Sequence, residues 1–162
     1  MKLDGNRSPG PMVRKMWDKL SGLPGGKLIF SKAVGKAAPY TGTIGAEVLE
    51  LRPGFARVQM RDKKKVRNHL NSVHAVALMN LAEATTGLAM TSGLPDGARG
   101  ILKGLRMEYI KKARGLLIAQ CEAEVSESTE RRELEIQGDI MDADGDVVAR
   151  AVATWLVGPA KG

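Results

Sequence analysis

The spacing of hydrophobic positions changes along the chain, and each change marks a different predicted element. Hydrophobic residues recur with helical spacing in residues 12–21 and, more weakly, in residues 28–37, which predicts two N-terminal helices. Residues 43–51 and 55–62 instead alternate with a period of two on either side of an Arg-Pro-Gly turn at 52–54. Alternation around such a turn predicts two adjacent antiparallel strands.

A long apolar segment follows this pair of strands. Roughly residues 72–91 have helical spacing, and Ser92, Gly93 and Pro95 end the predicted helix. Hydrophobic residues occur on most of its sides, which indicates that the helix is largely buried. Four further strands are predicted after it, at 99–112, 115–126, 131–142 and 146–157, and Asp144-Gly145 marks a hairpin turn between the last two.

This order of elements predicts an α+β fold in which an antiparallel sheet of about six strands curls around one long helix. The last strand favours the same arrangement, because alternate residues there are apolar and many are alanine. Small residues such as Ala149, Ala151 and Ala153 on one face would let the helix approach the sheet closely.

Composition restricts the class of protein further. The 162 residues are 43% hydrophobic and 27% charged, as expected for one soluble globular core. The single cysteine, Cys121, excludes an internal disulfide, and its alternation with apolar neighbours favours a small core residue over a nucleophile. The chain has no run of about 18 apolar residues and its first residues lack a secretory signal pattern, so we expect a cytoplasmic protein without a membrane partner.

The chain is strongly basic, with a formal net charge of +7 and a pI of about 9.7. Such a charge could attract nucleic acid, anionic lipid or a phosphorylated small molecule. The basic residues are scattered apart from RDKKKVR at 61–67 and KKAR at 111–114, and no zinc-finger or RNA-binding signature accompanies them. Each run taken alone is typical of a solvated turn, and nucleic acid is not an expected partner.

One carboxylate interrupts the long helix. Between Val73 and Thr91 the only charged side chain is Glu83. Burying an unpaired carboxylate costs several kcal/mol. Glu83 is therefore either structural, paired with a buried arginine such as Arg106 or Arg150 or emerging at the surface, or it faces a cleft. In a cleft it would serve as a general base or nucleophile, and the two interpretations are evenly balanced on this residue alone.

The start of the same helix carries a second candidate group. With Ser72 as the predicted N-cap, His74 and Ala75 lie in the first turn, where backbone N–H groups have no helical acceptor. Such groups stabilise negative charge developing on an oxygen. A lone histidine is more often a satisfied capping residue, and His69 and His74 lack further clustered ligands, so no metal site is predicted.

Helix geometry limits how these groups can cooperate. Nine residues separate His74 from Glu83, which corresponds to about 900° of rotation and roughly 13 Å of rise. The two side chains therefore point to opposite sides and cannot share a site within one chain. A two-fold dimer with antiparallel helices would bring each helix start close to the other copy's Glu83.

The pattern of Asn68, His74-Ala75 and Glu83, within RNHLNSVHAVALMNLAE and followed by YIKKARG, resembles the hotdog-fold acyl-CoA thioesterases. The phenylacetyl-CoA and 4-hydroxybenzoyl-CoA thioesterase branches are the most similar, together with an allied group of uncharacterised hotdog proteins. The resemblance covers about residues 40–157. It implies a curved antiparallel sheet around a central helix in residues 41–162, an N-terminal helical extension in residues 1–40, and a homodimer or homotetramer.

The resemblance also implies a role for each residue of the pattern. The Ala75 N–H would polarise the thioester carbonyl, and His74 would orient this turn by hydrogen bonding. Glu83 of the neighbouring subunit would activate water or attack the carbonyl, and Asn68 would position the water or the acid. No cofactor is implied beyond the coenzyme A of the substrate, whose phosphates have candidate contacts in Arg67, Lys111, Lys112 and Arg114.

The sequence departs from the family pattern at two places, and the second departure favours an alternative function. The usual His-Gly-Gly reads His74-Ala75-Val76, and Leu102 and Gly104 stand where several relatives carry a polar residue. A non-catalytic acyl-CoA or acyl-chain binding or regulatory protein is therefore the second hypothesis, although the retained Glu83 argues against it. The resemblance does not identify the acyl group, for which Met79, Thr86 and Met90 are candidate pocket residues.

Overall fold

The structure is a computed structural model that describes residues 8–160. Residues 1–7 and 161–162, at the ends of the two predicted domains, lie outside this range. Three helices come first, followed by two strands, a short 3-10 helix at Lys64–Val66, a long helix and four strands. The helices are α1 Pro9–Leu20, α2 Gly26–Ala37, α3 Pro39–Gly42 and α4 Ala75–Gly93. The strands are β1 Glu47–Arg52, β2 Phe55–Arg61, β3 Ala98–Tyr109, β4 Leu116–Glu122, β5 Arg132–Met141 and β6 Val147–Pro159.

The six strands form one antiparallel sheet in the order β1-β2-β4-β5-β6-β3. The turn between β1 and β2 places Gly54 at φ 78°, and the turn between β5 and β6 places Gly145 at φ 86°. Glycine adopts this left-handed region without a steric penalty, so both turns form where the sequence predicts them. The predicted α+β arrangement of about six strands around a long helix is confirmed.

The sheet curves around α4, and small residues allow the close approach. Ala149, Ala151 and Ala153 of β6 are fully buried. A Cβ atom added to Gly87 of α4 would lie 3.1 Å from the ring of Trp155, which shows how tightly this helix face packs on β6. Cys121 of β4 is a core residue, as predicted, and burial raises the pKa of its thiol to about 12.

The N-terminal helices cover one edge of the sheet. The Ser31 hydroxyl of α2 accepts a hydrogen bond from the Val48 N–H (2.8 Å), and the Lys27 ammonium donates to the Leu49 carbonyl (2.7 Å). These contacts satisfy backbone groups of the edge strand β1 that would otherwise remain unpaired. The opposite edge strand, β3, pairs in the sheet with β6 and with no other strand of residues 8–160.

Candidate functional site

The site is built around the N-terminus of α4. The helix begins at Ala75, so its N-cap is His74. The prediction of Ser72 as the N-cap is therefore wrong. The His74 Nδ1 atom accepts a hydrogen bond from the Val76 N–H (3.1 Å), and its carbonyl accepts from Ala77 (2.9 Å). Among residues 8–160, the Ala75 N–H has no hydrogen-bond acceptor. This donor is therefore free at the positive end of the helix dipole.

Asn68 organises the loop that leads into the helix. Its Oδ1 atom accepts hydrogen bonds from the Leu70 N–H (2.9 Å), the Ser72 N–H (3.3 Å) and the Ser72 hydroxyl (3.2 Å). This bonding explains why Ser72 does not cap the helix, because its hydroxyl is already engaged. The Arg114 side chain donates to the carbonyl of Asn71 (3.0 Å) in the same loop. The loop thus holds the helix start in place.

Two cavities flank this helix start. The first, of about 230 Å³, is lined by Asn68, Ala75, Lys111 and Lys112 together with Tyr109, whose hydroxyl donates to the Ala75 carbonyl (3.1 Å). The second, of about 370 Å³, includes His74 and Arg67 in its lining. The sequence-predicted site residues are therefore divided between two sides of the helix start, and Glu83 lines neither cavity.

Glu83 lies about 12 Å further along the helix axis than Ala75. It is half-buried, and its carboxylate has no hydrogen bond or ion pair within the described part of the chain. Desolvation raises its pKa above the usual glutamate value. The alternative of an ion pair with Arg150 is wrong, because that guanidinium is bound to Asp139 at 2.7 Å. Arg106 is exposed on β3 and makes no ion pair with Glu83 either.

Glu83 belongs to a partly uncovered surface of α4. Val76, Met79, Glu83 and Gly87 follow one another at helical spacing, and each is at least partly exposed. We call these four residues the α4 stripe. Val76 is the most exposed of the four, at 47%.

The edge strand β3 has a similar half-covered surface. Leu102, Leu105 and Met107 are each partly buried and pair with core residues of β6 that face α4. They therefore lie on the side of the sheet that α4 occupies. The α4 stripe and this side of β3 are both apolar apart from Glu83, and each is only partly covered by the described part of the chain.

The candidate phosphate-binding residues differ in whether their positive charges are already paired with other groups. The Lys111 ammonium lies between Asp142 (2.7 Å) and Asp146 (2.6 Å), and these carboxylates raise its pKa. The Arg67 guanidinium pairs with Asp62 at 2.7 Å, and Arg114 is engaged with the 68–72 loop. Lys112 is exposed and has no ion-pair partner within residues 8–160.

Asn80 is a polar residue of this region that sequence reasoning missed. It is 5% exposed, its amide donates to the Tyr40 carbonyl (3.0 Å), and its Oδ1 atom is buried without a partner in the described chain. Asn80 lines the same cavity as His74 and joins α3 to α4. The signal in the sequence was an asparagine inside an otherwise apolar helix.

Neither a metal site nor a membrane span is found in the part of the chain that the structure describes. Residues 8–160 contain no group of three or more His, Cys, Asp or Glu side chains placed to hold a metal ion. No helix in the same range is both long and apolar enough to cross a membrane.

Residues 26–157 match the family described as a domain of unknown function, DUF4442. A crystal structure from a structural-genomics programme is similar over 92% of this chain and 99% of its own, with 32% sequence identity and a TM-score of 0.78. No curated protein matches the sequence significantly.

Two more distant solved structures are similar in fold. A protein of unknown function from Pseudomonas aeruginosa, named a probable thioesterase, has 20% identity and a TM-score of 0.71 over 85% of this chain and 97% of its own. A hypothetical thioesterase from Streptococcus pneumoniae, solved with coenzyme A, has 20% identity and a TM-score of 0.65 over 79% and 99%. Together with the sheet and its central helix, this likeness shows that the chain has the hotdog fold.

Proposed function

The chain belongs to the DUF4442 family, and from that premise and its hotdog fold we propose that it is an acyl-CoA thioesterase with sites shared between two subunits. The names of the solved relatives support thioester hydrolysis, and the coenzyme A held by one of them supports the thiol half of the substrate. The observation that carries the proposal is that α4 bears both a free backbone donor, at Ala75, and an unpaired half-buried carboxylate, at Glu83.

The helix start would stabilise the transition state. A thioester carbonyl oxygen placed against the Ala75 N–H would receive a hydrogen bond that strengthens as negative charge develops on that oxygen. One such donor is typically worth about 3–4 kcal/mol of barrier. His74 acts as a positioning residue, because its bond to the Val76 N–H holds the turn that directs the Ala75 donor outward.

Glu83 would supply the base. A water molecule attacks the carbonyl carbon and gives its proton to the Glu83 carboxylate, and the tetrahedral intermediate then expels the coenzyme A thiolate. The proton on Glu83 passes to that thiolate, which leaves a free acid and a thiol and restores the carboxylate. A base of raised pKa suits this task, since it accepts a proton more readily near neutral pH.

A second subunit would bring the two groups together. Within one chain Ala75 and Glu83 are about 12 Å apart along α4. The apolar side of the edge strand β3 and the partly exposed α4 stripe would both be covered by a copy related by two-fold symmetry. Antiparallel α4 helices across that axis would place each Ala75 next to the partner's carboxylate and create two equivalent sites.

The coenzyme A phosphates would lie near the helix start, with Lys112 as the main contact. Both lysines of the first cavity are exposed, but Lys112 has no ion-pair partner within residues 8–160, whereas the charge of Lys111 is already compensated by Asp142 and Asp146. Arg67 and Arg114 would contribute by shaping the loops around this cavity. Asn68 lines the same cavity, where its amide would position the attacking water.

The test is hydrolysis of a panel of short, long and aromatic acyl-CoAs by the wild type and by Glu83→Gln. We expect turnover to fall by about 10²-fold or more, because the general base is lost while the shape of the side chain is kept. Light scattering should show the same oligomer for both proteins. Glu124→Gln, at an exposed glutamate without an ion pair in the described chain, is the matched control.

Two results would contradict the proposal. Unchanged turnover in Glu83→Gln would leave this carboxylate with a structural role only. Binding of acyl-CoA without hydrolysis by the wild type would instead support the second hypothesis, a non-catalytic acyl-CoA binding protein on the same fold.

A further inference from the structure

A cavity of about 620 Å³ lies between the N-terminal helices and the sheet. This volume is within the range of about 300–1,000 Å³ that is usual for small-molecule sites. Helices α2 and α3 form one wall, and β1 with Val58 of β2 forms another. Ala84 and Leu88 of α4 form the inner wall, so the N-terminal extension closes a space against the central helix.

The chemistry of the walls favours a hydrocarbon. Most of the lining is aliphatic side chain or glycine, and no aromatic ring from residues 8–160 borders the cavity. The Ser31 hydroxyl is already bonded to the Lys27 carbonyl (2.7 Å) and the Val48 N–H, and the Thr43 hydroxyl donates to the Tyr40 carbonyl (2.6 Å). A polar ligand would therefore find few free partners, and the charged lining residue Lys32 is exposed.

The cavity lies beside the proposed catalytic carboxylate. Ala84 directly follows Glu83 on α4, and Leu88 lies one helical turn after Ala84. Consecutive helix residues differ by about 100° in direction, so the cavity and the carboxylate occupy adjoining faces of the same helix. An acyl group whose carbonyl lies at Glu83 can thus extend around the helix into this space.

The far wall is set by a close contact between α2 and α3. A Cβ atom added to Gly35 would lie 2.9 Å from the Gly42 Cα, and one added to Gly42 would lie 2.7 Å from the Gly35 carbonyl oxygen. The two backbones therefore touch, and the depth of the cavity is limited by the extension itself.

We propose that this cavity binds a straight aliphatic acyl chain and that the α2–α3 extension sets the chain length the protein accepts. The inference rests on the proposed thioesterase function for the identity of the head group. The recognition of the chain is independent of catalysis, because it depends only on apolar contact with the cavity walls.

The experiment measures binding of S-alkyl coenzyme A thioethers by calorimetry, since a thioether cannot be hydrolysed. For the full-length wild type, affinity should rise from the ethyl to the octyl and dodecyl thioethers, by up to about fourfold for each buried methylene. Hydrolysis of the matching straight-chain acyl-CoAs is measured in parallel and should favour the longer chains.

Two variants fill the cavity from opposite walls. Ala84→Leu acts from α4 and Ala46→Leu from the residue preceding β1, and both alanines are partly exposed to the cavity. Each should weaken dodecyl binding by at least about tenfold, while ethyl binding stays within roughly twofold of wild type. Ala33→Leu is the matched control, because it lies on α2 but does not line the cavity. Circular dichroism checks that each variant is folded. If one filling variant does not fold, the expected loss of dodecyl binding in the other is sufficient to test the assignment.

The outcomes separate this inference from the proposed function. Length-dependent thioether binding that the filling variants abolish supports the cavity assignment, whether or not any thioester is hydrolysed. Absence of hydrolysis would contradict only the thioesterase proposal. Affinity independent of alkyl length, or filling variants that bind the dodecyl thioether as tightly as Ala33→Leu does, would overturn the assignment whether or not the protein is a thioesterase.

Discussion

Glu83 is a carboxylate whose burial is not compensated by any partner in the described chain. The other residues of the α4 stripe are apolar, and desolvation is the cause of the raised pKa of Glu83. Arg150, which could have neutralised it, is committed to Asp139. A residue in this state lowers the stability of the folded chain when it is ionised, and such a cost is typical of functional sites.

The raised pKa leads to a prediction about stability and pH. In the folded state the Glu83 carboxyl holds its proton more tightly than in the unfolded state, so the unfolded state releases its proton first as pH rises. Stability is therefore lost as pH increases from the usual glutamate pKa through the raised folded value. Glu83→Gln removes this loss, and we expect a higher melting temperature than wild type at neutral pH.

Thermal unfolding of both proteins across acidic and neutral pH checks this prediction. The difference in melting temperature should shrink towards acidic pH, where Glu83 is protonated in both states, and Glu124→Gln should show no such trend. A glutamine variant that is less stable than wild type at neutral pH would indicate that the Glu83 carboxylate has a cationic partner.

At the scale of elements, the start of α4 allows a specific test of the backbone donor. Ala75 is the first residue of the helix, where proline is favoured because its missing N–H has no helical acceptor. The preceding His74 has φ −64° and ψ 140°, which is the conformation that a residue before proline prefers. Ala75→Pro can therefore delete the N–H with little disturbance of the helix.

For Ala75→Pro we expect turnover to fall by about 10²–10³-fold, as for the loss of one oxyanion donor, with little change in melting temperature. Ala75→Gly, which keeps the N–H, is the control and should retain most of the turnover. Full activity of a folded Ala75→Pro protein would show that this N–H takes no part in the reaction.

At the scale of the whole molecule, the shared site makes the assembly part of the mechanism. When Ala75→Pro and Glu83→Gln subunits are unfolded together and refolded, half of the dimers should be hybrids. In a hybrid, one of the two sites has an intact Ala75 from one chain and an intact Glu83 from the other, so roughly a quarter of wild-type activity should return.

Each variant refolded alone should remain inactive, which is the control for this mixing experiment. Activity that does not return in the mixture, although hybrid dimers are shown to form, would place both groups in one chain. A strictly monomeric protein at working concentration would also contradict the shared site.

The sequence by itself determined the elements and their order, because helical and strand periodicity and turn chemistry are local properties. Residues 43–51, 55–62 and 72–91 each correspond to an observed element, with ends that shift by a few residues. Gly54 and Gly145 marked their turns because only glycine adopts those backbone angles cheaply. The buried character of α4 and of Cys121 followed from apolar neighbours at the expected spacing.

Only the tertiary structure decided which side chains are free to act, because their partners are distant in sequence. Lys111 is compensated by acids more than thirty residues away. The Ser72 hydroxyl is bonded to Asn68, and His74 takes the capping role predicted for Ser72. The candidate pocket residues Met90 and Thr86 are buried in the core, whereas Ala84 and Leu88 face the cavity beneath α2 and α3. A periodic pattern identifies a buried helix face, but the elements packed against that face determine whether it borders a core, a cavity or a second copy of the chain.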